Sequence, residues 1–110
     1  MAELHVITGG LDELKAKFAE AGERPVFVKF TAEWCGNCEI IAPMMEEKNA
    51  ELGDKAIFVS VDVDEQEDIA EEYEVTSLPR ALAFKNGVKC SEMQGNKPEK
   101  YKEFVESCMS

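Results

Sequence analysis

Cys35-Gly36-Asn37-Cys38 directly follows Trp34 and sets two thiols three positions apart beyond an apolar run. Thiols at that spacing can close a small disulfide reversibly, the chemistry of a dithiol redox site. Val26-Phe27-Val28-Lys29-Phe30 reads as a mostly buried strand, and the stretch after Cys35 reads as a helix. Cys35 then falls at or just before a helix N-terminus, where unpaired N–H groups and the positive end of the dipole favour a thiolate. Two other readings compete: half of a metal site, and a pair that is retained but chemically idle. Zinc needs two further ligands, and Cys90, Cys108 and the single histidine, His5, supply no second closely spaced pair.

The elements that must position these thiols fit within one small unit. A chain of 110 residues can bury one hydrophobic core and gives no reason to divide, so a single domain over 1–110 is expected. Twenty-three acidic against twelve basic residues give a formal charge of -11, which argues against nucleic acid or an anionic membrane as partner and favours basic surfaces. Neither a charged leader with an apolar core nor a membrane-length apolar stretch follows Met1, so a cytoplasmic location is expected. Four cysteines do not make a disulfide scaffold at this size, and a reducing compartment would keep Cys90 and Cys108 as thiols.

Periodicity predicts a coarse βαβαββα layout. Leu4 to Ile7 can form a short strand, and Leu11, Leu14, Phe18 and Ala21 recur on one helical face. After the strand ending near Phe30, a helix runs from about Gly36 to Leu52. Ile57 to Val63 forms the next strand, and Ile69, Ala70 and Tyr73 mark a shorter helix whose flanking acids, Asp62, Asp64, Glu65, Glu67 and Asp68, read as a solvated rim. Ala81–Phe84 and Val88–Met93 flank Asn86-Gly87, a strong signal for an antiparallel hairpin. Tyr101, Phe104, Val105 and Cys108 keep helical spacing, so a terminal helix can cover one sheet face. The pattern implies an α/β fold with a central mixed sheet and helices on both faces.

Phe30-Thr31-Ala32-Glu33-Trp34-Cys35-Gly36-Asn37-Cys38, Ile41-Ala42-Pro43, Val61-Asp62-Val63-Asp64, Ser77-Leu78-Pro79 and Phe84-Lys85-Asn86-Gly87, together with Gly95, resemble thioredoxin segments in thioredoxin order. The resemblance spans nearly the whole chain and implies a thioredoxin-like fold. It implies a protein disulfide oxidoreductase with Cys35 as the exposed attacking cysteine, Cys38 as the buried resolving cysteine and Trp34 beside the substrate groove. Pro79, after Leu78, matches a cis-proline that faces the cysteines. The resemblance further implies disulfide-containing protein substrates, no bound cofactor beyond the Cys35–Cys38 disulfide, and recharging by a thioredoxin reductase, hence an indirect dependence on NADPH. The competing class is a thioredoxin-like binding module whose cysteines stay idle.

Three residues depart from the family pattern. Asn37 stands where proline is usual and supplies a backbone N–H next to Gly36 at the helix start. Arg80 follows Pro79 where threonine is common, and reads either as a solvated charge or as a substrate-selecting cation near the groove. Lys29 matches a buried family aspartate, and Ser60 matches a position that often supplies that aspartate's charged partner. Lys29 either buries its stem and snorkels or tunes a cysteine electrostatically, with burial opposing its charge. Trp34 reads as a groove aromatic or as a core anchor. His5 is expected at a surface strand edge without a catalytic part. Cys90 and Cys108 are packing residues, sites of regulatory oxidation, or the means of an intermolecular disulfide between chains that are otherwise monomers.

Overall fold

The computed structural model of the chain describes residues 4–109. Its elements run β1 (His5–Val6), α1 (Gly10–Ala21), β2 (Val26–Thr31), α2 (Cys38–Leu52), β3 (Ile57–Asp62), α3 (Glu67–Glu72), β4 (Arg80–Lys85), β5 (Val88–Gln94) and α4 (Pro98–Met109). This βαβαβαββα order has one βα unit more than the coarse βαβαββα layout, although the strands and helices named from periodicity already number nine and each is found. β1 is shorter than the expected Leu4–Ile7 strand and contributes only His5 and Val6, both exposed. Leu4 and Ile7, the expected strand ends, are buried on either side of it.

The strands form one mixed sheet in the order β1-β3-β2-β4-β5. β1 and β2 pair parallel with β3, while β4 runs antiparallel to both β2 and β5. β2 is therefore central and covered on both faces, which is why it reads as a nearly continuous apolar run. Val26, Val28 and Phe30 enter one core with Leu14, Phe18 and Ala21 of α1 and Ile69 of α3. Phe27 enters the other with Ile41, Met44 and Met45 of α2 and Tyr101, Phe104 and Val105 of α4. Phe27 stacks on Phe58 at 4.9 Å and meets Phe104 edge-on at 5.7 Å, while Phe18 and Phe84 pack at 4.6 Å on the opposite face. Such ring pairs add about 0.5–1.5 kcal/mol each beyond the area they bury.

Asn86 and Gly87 turn the β4–β5 hairpin with φ of 54° and 77°. Two successive left-handed residues match the strand twist, and Asn-Gly meets that demand at little steric cost. The acids flanking α3 are not the uniformly solvated rim expected of them. Asp68 Oδ2 accepts the Leu11 N–H at 2.8 Å and Gln66 Oε1 accepts the Gly10 N–H at 2.8 Å, so α3 caps the start of α1. His5 lies at the surface edge and shares a 2.5 Å hydrogen bond with Glu13, whose other oxygen accepts the N–H groups of Thr8 and Gly9. The His5 contact, reinforced by those two N–H bonds, lowers the Glu13 carboxyl to about 2.

Candidate active site

β2 delivers the chain to one end of the sheet at Thr31, and three residues then carry it to Cys35. The turn is tightened by backbone bonds from Cys35 N–H to Ala32 O at 3.1 Å and from Cys38 N–H to Cys35 O at 3.2 Å. Cys38 opens α2, with Asn37 in helical conformation at its N-cap and no side-chain cap. Cys35 thus stands just ahead of a fifteen-residue helix, where the positive end of the dipole favours negative charge. Cys35 and Cys38 are joined by a disulfide with their Cα atoms 5.4 Å apart.

The disulfide rests in a small apolar cluster with Ala32, against which Val63 and Leu78 pack. Cys35 is not the freely exposed residue expected of an attacking cysteine: it is 7% accessible and Cys38 is 1% accessible. The expected ranking of the two holds, but in the bonded state this cluster closes around both. Cys38 Sγ lies 3.9 Å from the Phe30 carbonyl oxygen, an acceptor for its proton once the disulfide opens.

The Leu78–Pro79 bond is cis, as the sequence resemblance implies. Leu78 touches the disulfide cluster, so this loop faces the cysteines. The Pro79 carbonyl accepts the Gly95 N–H at 3.0 Å, which ties the loop to the segment before α4. Trp34 is 68% exposed, the outcome expected of a groove aromatic rather than a core anchor. Its Nε1–H donates to Asp64 Oδ2 at 2.8 Å, which fixes the indole over the surface. Glu33, Trp34, Asp62, Asp64 and Glu65 line an open cleft of about 420 Å³ beside it. Sequence reasoning missed Asp64 as a partner of Trp34; its place in Val61-Asp62-Val63-Asp64 was the available signal.

Lys29 is half-buried on β2, opposite Ser60 of β3 and Ala81 of β4. Burial pushes its ammonium down from the ordinary lysine range, and Glu46 of α2 partly opposes that shift. Arg80 turns its guanidinium to an ion pair with Glu92 of β5, so this cation is engaged rather than open to the groove. The Arg80 contact in turn lowers the Glu92 carboxyl. Gly36 has open space around its Cα. Among the described residues no group of three or more His, Cys, Asp or Glu is placed to hold a metal ion. Among the described residues no helix is long and apolar enough to cross a membrane.

A disulfide at the start of a helix, a cis-proline loop against it and an exposed indole beside it define a thiol-disulfide exchange site on an α/β sheet. The thioredoxin family model matches residues 10–107. The chain belongs to the thioredoxin family, whose members reduce protein disulfides, and it is a thiol-disulfide oxidoreductase. It is 36% identical over 99 residues to thioredoxin of Gallus gallus, covering 90% of this chain and 93% of that one. It is 43% identical over 81 residues to thioredoxin of Bacillus subtilis, covering 74% and 78% of the two. The structure superposes on that of Malassezia sympodialis thioredoxin with a TM-score of 0.90 at 33% identity, over 100% of this chain and 94% of that one.

Proposed function

We propose that Cys35 is the attacking thiol and Cys38 the resolving one, acting on disulfides of protein substrates. The observation that carries this reading is the Cys35–Cys38 disulfide at the start of α2 with the Leu78–Pro79 loop packed against it. In the reduced protein the Cys35 thiolate attacks one substrate sulfur, forms a mixed disulfide and releases the other sulfur as a thiolate. Cys38, as thiolate, then attacks Cys35 Sγ, closes the Cys35–Cys38 disulfide and releases the second substrate thiolate. The substrate takes up two electrons and, from water, two protons; the protein loses the same. The disulfide form described above is the oxidised end of this cycle.

Trp34 and the Leu78 peptide border the groove in this reading. Leu78 is suited to meet an extended substrate because the Pro79 carbonyl is already taken by Gly95. Gly36 leaves the approach to Cys35 unobstructed, and Asn37 adds an N–H at the helix start where proline would have none. Lys29 tunes Cys38 from below, while Arg80 is held by Glu92 and sets the loop rather than the substrate. The chain works as one domain and as a monomer. A thioredoxin reductase recharges it at the expense of NADPH, serving electron transport and redox homeostasis in the cytoplasm.

Turnover of a disulfide-bonded protein, with recharging by a small dithiol, tests the assignment in the intact chain and in Cys35→Ser and Cys38→Ser. Both variants should lose turnover, but only Cys38→Ser should accumulate a mixed disulfide through Cys35. Turnover that survives in Cys35→Ser would place the chemistry elsewhere, and an intact chain without cysteine-dependent turnover would be a binding module with idle cysteines.

A further inference from the structure

Cys90 and Cys108 lie eighteen positions apart in the chain and give no sign of each other in the sequence. The fold brings them together through an irregularity in β5. Ala83 of β4 faces Ser91 and Phe84 faces Lys89, so Cys90 has no partner across the ladder. Ser91 and Met93 share the sheet face of Ala83 and Ala81, and Met93 packs on the α2/α4 core. Regular alternation would send Cys90 to the opposite face. The extra residue resets that alternation and re-aims Cys90 toward α4.

Two contacts show where it goes. The Cys90 Sγ–H donates to the Ala83 carbonyl at 3.5 Å, and Ala83 and Cys108 belong to the same buried cluster. α4, which carries Cys108, packs along β5, and Cys108 is a neighbour that acts on the Cys90 thiol. Both are free thiols, Cys90 on the surface and Cys108 inside. An accessible thiol beside a buried one is the arrangement that two-step thiol oxidation requires.

We propose that Cys90 and Cys108 are a second redox pair, which closes an intramolecular disulfide between β5 and α4 when the protein meets a hydroperoxide. The Cys90 thiolate attacks a peroxide oxygen, the O–O bond breaks, and Cys90 becomes a sulfenic acid while the departing hydroxide takes a proton to become water. The Cys108 thiolate then attacks the Cys90 sulfur, forms the S–S bond and expels hydroxide, which is protonated to a second water. Two thiols lose two electrons and two protons, and hydrogen peroxide is reduced to two waters. The bond would tie the exposed edge strand to the terminal helix, away from the Cys35–Cys38 cluster. Burial and the adjacent Cys108 push the Cys90 thiol up, so the pair responds to sustained oxidant rather than to trace peroxide.

The test uses Cys35→Ser/Cys38→Ser, which leaves these two thiols alone, exposed to hydrogen peroxide and then mapped by mass spectrometry after blocking free thiols. The same mapping on the intact chain covers the case in which the double variant does not fold. The expected result is a Cys90–Cys108 cross-link within a monomer and loss of both free thiols, reversed by dithiothreitol and absent in Cys90→Ser and Cys108→Ser. A Cys90-linked dimer, Cys90 carried on to sulfinic acid with Cys108 still free, or no reaction would each overturn the proposal.

Discussion

The molecule holds two pairs of cysteines built on opposite principles. Cys35 and Cys38 stand at the start of a long helix, are almost wholly covered, and are bonded. Cys90 and Cys108 are unbonded, one on an edge strand and one in the last turn of α4, and the more exposed of them, Cys90, has its thiol pushed up. In the proposed reading position, not exposure, identifies the reactive sulfur: the positive end of the α2 dipole favours a thiolate at Cys35, whereas at Cys90 only Lys85 and a backbone hydrogen bond oppose desolvation, and more weakly.

The contrast breaks first, and most visibly, at turnover. Cys35→Ser should lower turnover of a disulfide protein by at least about a hundredfold, because the attacking group is gone. Cys90→Ser and Cys108→Ser should leave it within about twofold, since neither touches the groove. A large loss in either would merge the two pairs into one machine.

Removing the indole is expected to have the next largest effect. Trp34→Ala should raise KM for a protein substrate by about tenfold, equivalent to ~1.4 kcal/mol of lost groove contact. Its stability should change by less than about 0.5 kcal/mol, because the side chain is mostly in water. A denaturant melt beside a substrate titration reads both.

Lys29→Asp sharpens the comparison on the Cys38 side. A carboxylate beneath α2 can relay the Cys38 proton, whereas lysine acts only through its field, so mixed-disulfide decay should quicken by roughly threefold. Rapid-quench measurements across pH check this, and equal rates in both proteins would make Lys29 a packing residue alone.

The last effect is on stability rather than turnover and belongs to the core that carries Cys108. Burial raises the Tyr101 hydroxyl to about 12 from an ordinary 10.0. The unfolded chain therefore releases this proton first as pH rises, so stability is intact below pH 10 and declines between 10 and about 12. Tyrosinate absorbance read during alkaline titration, beside melts at each pH, checks the sign.

Much of this was legible in the chain. The continuous apolar run of β2, the Asn86-Gly87 turn and the helical spacing around Tyr101 carry periods strong enough to read, and the site residues cluster in short motifs. What stayed hidden depends on contacts between distant segments. Asp64 looked like part of a solvated rim until the fold set it under the Trp34 indole. Arg80 looked free because Glu92, twelve residues away, comes alongside only once β4 and β5 pair. The meeting of Cys90 with Cys108 needs one unpaired residue in β5, and a one-residue slip leaves no mark in composition or period.

The most direct measurement is competition among all four thiols of the reduced protein for a limiting alkylating reagent near neutral pH, followed by peptide mapping. Cys35 should be modified first, ahead of the more exposed Cys90 and well ahead of Cys38 and Cys108, with a rate that is already near its plateau where Cys90 is still climbing with pH. Modification of Cys90 or Cys38 before Cys35 would contradict the claim that helix position, rather than exposure, makes the nucleophile.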